Sequence, residues 1–450
     1  MFKSMNAIIC HIVLLCLSVS MFSCEKESPS VFTPDFNYSF SDEDQNTVRF
    51  VNTTEGEHGY MQWNFGNGEQ TDKQPANKLT YSIHYPLKGD YEVELKVWGK
   101  TGSDDNVKSI TKTVSIEKSA LVPEFTYEIK QDSSNYIRLT DISTGDYDTI
   151  TWSYPGRVFP GSPGEERDIY LAMGGNYNIT LEISDGIQTK TLSKEISIQA
   201  DDPEYMDHYE LVWSDEFDDN QLDSEKWLHE TGDHGWGNGE LQNYTDGENT
   251  SVSDGSLKIT VNKEVDGQTT EYTSSRLNST RSFTYGRMEV KARMPDYKGA
   301  GLWPALWMLG ESIQEGTEWP LCGEIDIMEY VSWNPGNYST AIHTESNNHM
   351  QGNAIASGFV ELAGIEEEFH VFGIIWTYTG IKFYLDSVDN IVLSYKKPNN
   401  PDQQNWPFDK PFYFLMNIAV GGNYGGVEGV DEQSFPGVME VDYVRVFQLR

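Results

Sequence analysis

A chain of 450 residues is too long for one ordinary domain and long enough to bury a large core. Its composition, 38% hydrophobic and 13% aromatic with 39 Gly and 18 Pro, is that of a globular protein. A formal net charge of −38 argues against nucleic acid and anionic membrane surfaces as partners, and a polyanionic substrate would need a basic cleft that no segment supplies.

The chain opens MFKSMNAIICHIVLLCLSVSMFSC, where Lys3 precedes an apolar run from Ala7 to about Val19. That run is short for a spanning helix and reads as a signal peptide over residues 1–24. The Ser23-Cys24 junction followed by EKES resembles a bacterial lipoprotein cleavage site, with Met21 where Leu is usual. The expectation is a lipid anchor on Cys24 and a place on the outer membrane, the acidic EKES favouring the cell surface. Cys10 and Cys16 leave with the signal, so Cys322 remains as a packed thiol and the mature chain has no intrachain disulfide.

After a linker at 25–32, two stretches repeat at a nearly constant offset. Phe36 and Tyr38 recur as Phe125 and Tyr127, Trp63 and Phe65 as Trp152 and Tyr154, and the strand pattern GDYEVEL from Gly89 as GNYNITL from Gly175. Alternating apolar and polar residues between turn signals predict two small antiparallel β-sandwiches, at 33–118 and 121–199. The first, with WNFGNGEQ and KGDYEVELKVWG, resembles the PKD family of immunoglobulin-like modules. The second has WSYPGRV where that family has a Gly-Asp-Gly turn. Both are expected to act as spacers, with carbohydrate binding by one of them as the other reading. Residues 200–208, ADDPEYMDH, read as a linker.

From residue 209 to 450 strand signals dominate, no long helix is evident, and the tryptophans concentrate: only Trp63, Trp98 and Trp152 of the 12 lie earlier. This predicts an all-β sandwich or jelly roll. Within it, GEIDIMEY at 323–330 crowds Glu324, Asp326 and Glu329 into apolar sequence. Strand side chains alternate, so Glu324 and Asp326 share a face and Glu329 is out of phase. A β-bulge at Ile327-Met328 would reset the alternation and bring the third acid back. Paired carboxyls of that kind are what retaining glycoside hydrolysis uses, one ionised nucleophile and one protonated acid. Without the bulge the acids would be a solvated cluster, but the flanking GLWPALWML and AIHTES are not surface patterns.

The segment Glu324-Ile-Asp326-Ile-Met-Glu329 resembles the signature of glycoside hydrolase family 16 in its laminarinase-like branch. WSDEFD, GWGNGELQNYT, TSSRLNST, GLWPALWML, MNIAVGGNYGG and MEVDYVRVF agree in order. The resemblance implies a concanavalin-type jelly roll. It also implies Glu324 as nucleophile, Asp326 as its helper and Glu329 as general acid/base, in a monomer cutting internal β-1,3 bonds of β-glucan. Mixed-linkage glucan is an additional candidate substrate. Trp303 and Trp307 share a strand face and would stack on sugar rings, as would Trp236 among its glycines. Asn238 and Arg276 lie where relatives hydrogen-bond sugar hydroxyls. His343 in AIHT follows the acid strand and is expected to line the cleft near Glu329. Members of the family often hold a structural calcium ion, and Glu216, the Gly255 carbonyl and Asp442 match those ligand positions; catalysis requires no cofactor. Two other readings remain at this point: a surface glycan-binding lipoprotein that has lost activity, and a hydrolase of sulfated algal galactans, which would need basic residues around the cleft.

Overall fold

The computed structural model describes residues 30–449 except 131–134 and 267–268. The signal segment and Cys24 therefore lie outside the described residues. The chain forms two compact units, one ending at Val122 and taking in Thr144–Asp146, the other made of Pro123–Ser143 and Tyr147–Arg450.

The first unit is a sandwich of a 3-stranded sheet (Phe36–Phe40, Thr47–Asn52, Thr80–His84) and a 4-stranded sheet (Gln74–Pro75, Tyr60–Asn64, Gly89–Trp98, Val107–Ile116). Alternation along these strands sends Val48, Phe50, Met61, Trp63, Val93 and Leu95 into one core. The second repeat builds the same pair of sheets, 3 strands against 4, from Phe125–Ile129 to Thr189–Ile198. The shared aromatic residues explain the repeat. Trp63 packs edge-on to Phe36 at 5.0 Å, and Trp152 to Phe125 at 5.2 Å. Both indoles are fully buried.

The second sandwich packs against the C-terminal region. WSYPGRV, where it departs from the PKD pattern, folds as a tight hairpin pairing Tyr154 with Arg157. The hairpin abuts the C-terminal region. Arg157 donates to the Leu449 carbonyl, and a Cβ on Gly156 would sit 2.7 Å from the Tyr285 ring. Tyr177 meets Tyr378 at 5.5 Å, and Lys382 pairs with Asp201 at 3.4 Å. Residues 200–208, expected as a linker, are packed: Asp202 accepts from Tyr170 Oη at 2.7 Å and the His208 ring lies 4.4 Å from the Tyr170 ring. Polarity and a proline suggested a free connection, but the aromatic side chains there find partners on the sandwich.

From Tyr209 onward the chain forms two large sheets, of 10 and 8 strands among the described residues. The 8-stranded sheet runs, in spatial order, Trp227–Glu230, Arg276–Phe283, Phe412–Val420, Leu302–Gly310, Glu324–Tyr330, Asn337–His343 and Ile355–Ala356, with Val360–Glu361 also on Asn337–His343. Leu277, Leu306, Met308, Ile325, Met416 and Ile342 point from it into the core, where they meet Leu257, Val290, Ile374, Phe383 and Val441 of the larger sheet. One face is thus spent on packing. The other is left for a cleft. The only α-helix among the described residues is the short Gly422–Gly425. Cys322 is buried, and burial pushes its thiol up to about 12, as suits a packed side chain and not a nucleophile.

Candidate active site

The strand Glu324–Tyr330 carries a bulge. Against Asn337–His343, Asp326 pairs with Ala341 and Glu329 with Ser339, so Ile327 and Met328 together oppose Thr340. Against Leu302–Gly310, Trp307 pairs with Asp326 and Leu306 with Met328, leaving Ile327 over. Ile325, Ile327, Met328 and Tyr330 all enter the core. Two consecutive inward residues turn Glu329 back beside Glu324 and Asp326. The apolar pair forces the geometry: strict alternation would drive either Met328 into the cleft or Glu329 into the core.

The three carboxyls form part of the wall of a cleft of about 790 Å³. Glu324 is reachable from it, with its side chain 16% exposed, whereas Asp326 is at 6%. Burial pushes each carboxyl up from its usual value to about 8. Repulsion from Asp326 adds to the rise at both glutamates, while His343 opposes it at both and Arg276 opposes it at Glu324. At neutral pH the cluster therefore holds protons that solvated carboxylates would have lost.

The raised values have a stability consequence of defined sign. A carboxyl that binds its proton more tightly in the folded chain loses stability for the fold as pH rises from about 4.5 towards 8. The melting temperature of Glu329→Gln is expected to exceed that of the wild type by about 2–4 °C at pH 8, with the gap closing towards pH 5. A gap independent of pH in thermal melts would overturn this account.

Each glutamate accepts an indole N–H. Trp303 Nε1 donates to Glu329 Oε1 at 3.1 Å, and Trp319 Nε1 to Glu324 Oε2 at 3.2 Å. Trp303 and Trp307 are both half-buried on the cleft face, with Leu302, Leu306 and Met308 opposite. Trp303 is thus tied to an acid as well as available to sugar. Trp307 donates to Asn417 Oδ1 at 2.8 Å, Asn417 Nδ2 to Tyr244 Oη at 3.0 Å, and Tyr244 Oη to the buried Glu240 at 3.3 Å. Asn238 also spends its amide on Glu240, at 3.0 Å. The Arg276 guanidinium is stacked between Trp236, at 4.6 Å, and Trp307, at 4.8 Å, and its Nε donates to Glu230. Trp236 reaches the cleft from a run of positive φ values at Gly235, Trp236 and Gly237, a turn that the two glycines ease.

His343 lines the cleft but not beside Glu329. The antiparallel register pairs it with Glu324, and Ser339 takes the place opposite Glu329. His343 Nε2 lies 3.1 Å from Asp326 and 3.8 Å from Glu324. The His349 backbone N–H donates to His343 Nδ1 at 3.3 Å, so in the neutral ring the proton sits on Nε2, facing the acids. The ligating atoms of Glu324, Asp326 and His343 lie within 4.8 Å of one another, close enough for a metal ion. That tautomer places a hydrogen where a metal would need a lone pair, which disfavours ligation. The two carboxylates expected at a calcium ion are otherwise engaged. Glu216 gives both carboxylate oxygens to Arg445, at 3.0 and 2.7 Å, and Asp442 pairs with Lys291 at 2.6 Å. Their carboxylates do not offer a free donor set, so they do not fit the ion as arranged.

Sequence reading missed Trp319, Glu230, Glu240, Asn417, His349, and the aromatic edge where Trp333 meets Phe359 at 5.5 Å and Tyr424 at 6.1 Å. Glu240 lies in GWGNGELQNYT and Asn417 and Tyr424 in MNIAVGGNYGG, and Trp319 sits in EWPLC just ahead of the acids, so the signal for these four was their place in or beside the quoted segments.

A sheet whose free face bears crowded acids under tryptophans defines a carbohydrate-cleaving hydrolase. Comparison with known proteins narrows the class. The family model for glycosyl hydrolases family 16 matches residues 238–445, and that for the PKD domain matches 35–111. The chain is 45% identical over 254 residues to a beta-glucanase of Rhodothermus marinus, across 54% of this chain and 86% of that protein. It is 37% identical over 264 residues to glucan endo-1,3-beta-glucosidase A1 of Niallia circulans, across 53% of this chain and 38% of that longer protein. The crystal structure of the laminarinase from Rhodothermus marinus matches with a TM-score of 0.50 at 44% identity, over 54% of this chain and 98% of that one. The chain belongs to glycosyl hydrolase family 16.

Proposed function

We infer that the protein is a retaining endo-β-glucanase that hydrolyses internal β-1,3 bonds of laminarin-type glucans. The observation that carries this reading is the bulge, which places Glu329 on the face of Glu324 and Asp326 in an aromatic-walled cleft.

Arg276 and His343 oppose the burial that raises Glu324, and Arg276 acts on Glu324 and not on Glu329, which makes Glu324 the acid suited to lose its proton and attack the anomeric carbon. Glu329 gives its proton to the glycosidic oxygen as the C–O bond breaks, and a glycosyl ester on Glu324 results. Glu329, now a carboxylate, takes a proton from water; the water oxygen bonds to the anomeric carbon and Glu324 leaves. Two inversions give retention. Asp326 Oδ2 is buried, and its 3.1 Å contact with His343 Nε2 is too poorly aligned for a hydrogen bond, which suits a protonated Asp326 that shares its proton with Glu324.

The cleft also bears on the substrate. Among the described lining residues Arg276 is the only Lys or Arg, and Glu230 already pairs with it. Sulfate groups would find no free cation, whereas neutral glucose rings find indole faces. The related proteins named for glucan cleavage support the same choice. On a panel of purified polysaccharides we expect laminarin to be cut internally to short oligosaccharides with fresh β reducing ends by NMR, cellulose to be left intact, and mixed-linkage glucan to be cut more slowly. An α product, or agarose cut with laminarin untouched, would reject the reading.

A further inference from the structure

We propose that Trp319 is a positioning residue for the nucleophile: its indole N–H fixes one oxygen of Glu324 and favours the carboxylate over the acid. This rests on the hydrolase reading given above and adds to it a residue that acts through the nucleophile.

The observations are geometric. Trp319 Nε1 lies 3.2 Å from Glu324 Oε2, while the other oxygen, Oε1, faces His343 Nε2 at 3.8 Å. An indole N–H can donate only, so the bond is available to an oxygen lone pair and strengthens when that oxygen is charged. The ring cannot easily swing away. It lies 5.1 Å from the His349 ring and 6.1 Å from His343, and it packs with Leu309, Cys322, Tyr413 and Leu415. The His349 segment thus supports the nucleophile twice, through this ring contact and through the backbone N–H that sets the His343 tautomer. Glu329 has a matching donor in Trp303, which lies on the strand Leu302–Gly310. The two acids that must hold different protonation states are therefore each served by a separate indole, and each can be altered alone.

Losing the N–H should raise the pH at which Glu324 ionises, because a hydrogen bond to the charged form favours that form. The test is the pH dependence of kcat/KM on laminarin for Trp319→Phe and for the protein carrying 3-benzothienylalanine at position 319, which keeps the bicyclic shape and replaces N–H by sulfur. The acidic limb is expected to move up by about one pH unit in both, with kcat at pH 5 down about tenfold and KM changed less than about threefold. The same replacement at Trp303 is expected to move the basic limb instead. If the benzothienyl protein at 319 keeps the wild-type acidic limb, Trp319 serves packing alone and the proposal is overturned. Glu324→Gln measured alongside separates the two levels: near-normal activity there rejects Glu324 as nucleophile and this proposal with it. An inactive Glu324→Gln with an unmoved limb in the 319 proteins rejects only the proposal.

Discussion

Glu324→Gln is expected to lower kcat on laminarin by about 10⁵-fold or more, since loss of a covalent nucleophile removes the low-barrier route altogether. The change is isosteric. Trp319 can still donate to the remaining side-chain oxygen, and one charge leaves a crowded, partly buried cluster, so the fold should melt no lower than the wild type. Glucan binding should persist, because Trp236, Trp303 and Trp307 are untouched. Initial rates on laminarin, with melting and oligosaccharide binding as controls, check all three. Retention of even about one per cent of activity by a preparation free of wild-type enzyme would place the nucleophile elsewhere.

Glu329→Gln should behave differently. Proton donation by a positioned acid contributes about 10²–10⁴-fold, and the loss should appear in full on laminarin, whose leaving alcohol needs the proton. A laminari-oligosaccharide with a nitrophenyl leaving group needs no such help in the first step, so ester formation on Glu324 should be nearly spared. Release of the ester still requires a base for water. A burst of nitrophenol followed by a slow phase, relieved by azide, is therefore the expected signature. Equal losses on both substrates and no response to azide would show that Glu329 is not the acid/base.

Much of this was legible in the residues because the acids and the apolar residues around them give conflicting information. The phase of Glu329 contradicted strict alternation, and a bulge was the local structure that reconciled them. The repeated Phe and Trp positions announced two sandwiches for a similar reason: the same pair must meet in each core. What stayed hidden depended on register between distant segments. His343 follows the acid strand in sequence, but whether it faces Glu324 or Glu329 is decided by a pairing fixed only in the folded sheet. Trp319 lies outside any strand, so no period marks its direction. The hairpin at Tyr154–Arg157 looked like a lost family feature, and only its contacts with Tyr285 and Leu449 show what stands in its place. Glu216 and Asp442 matched a ligand pattern in the chain, but Arg445 and Lys291 lie close enough to pair with them.

The bulge has a bearing on how this catalytic strand can change over time. Both neighbours already count it as one residue shorter than it is: a single residue, Thr340, separates the partners of Asp326 and Glu329 on one side, and a single residue, Leu306, does so on the other. A deletion of Ile327 or Met328 would leave an evenly alternating strand in the same register, with all three acids still facing the cleft. Insertions and deletions elsewhere in a sheet exchange inside for outside. Here the length of the most demanding strand in the protein can vary by one without moving its chemistry, so related sequences with and without the extra residue can be reached from one another by a step that keeps the active face intact.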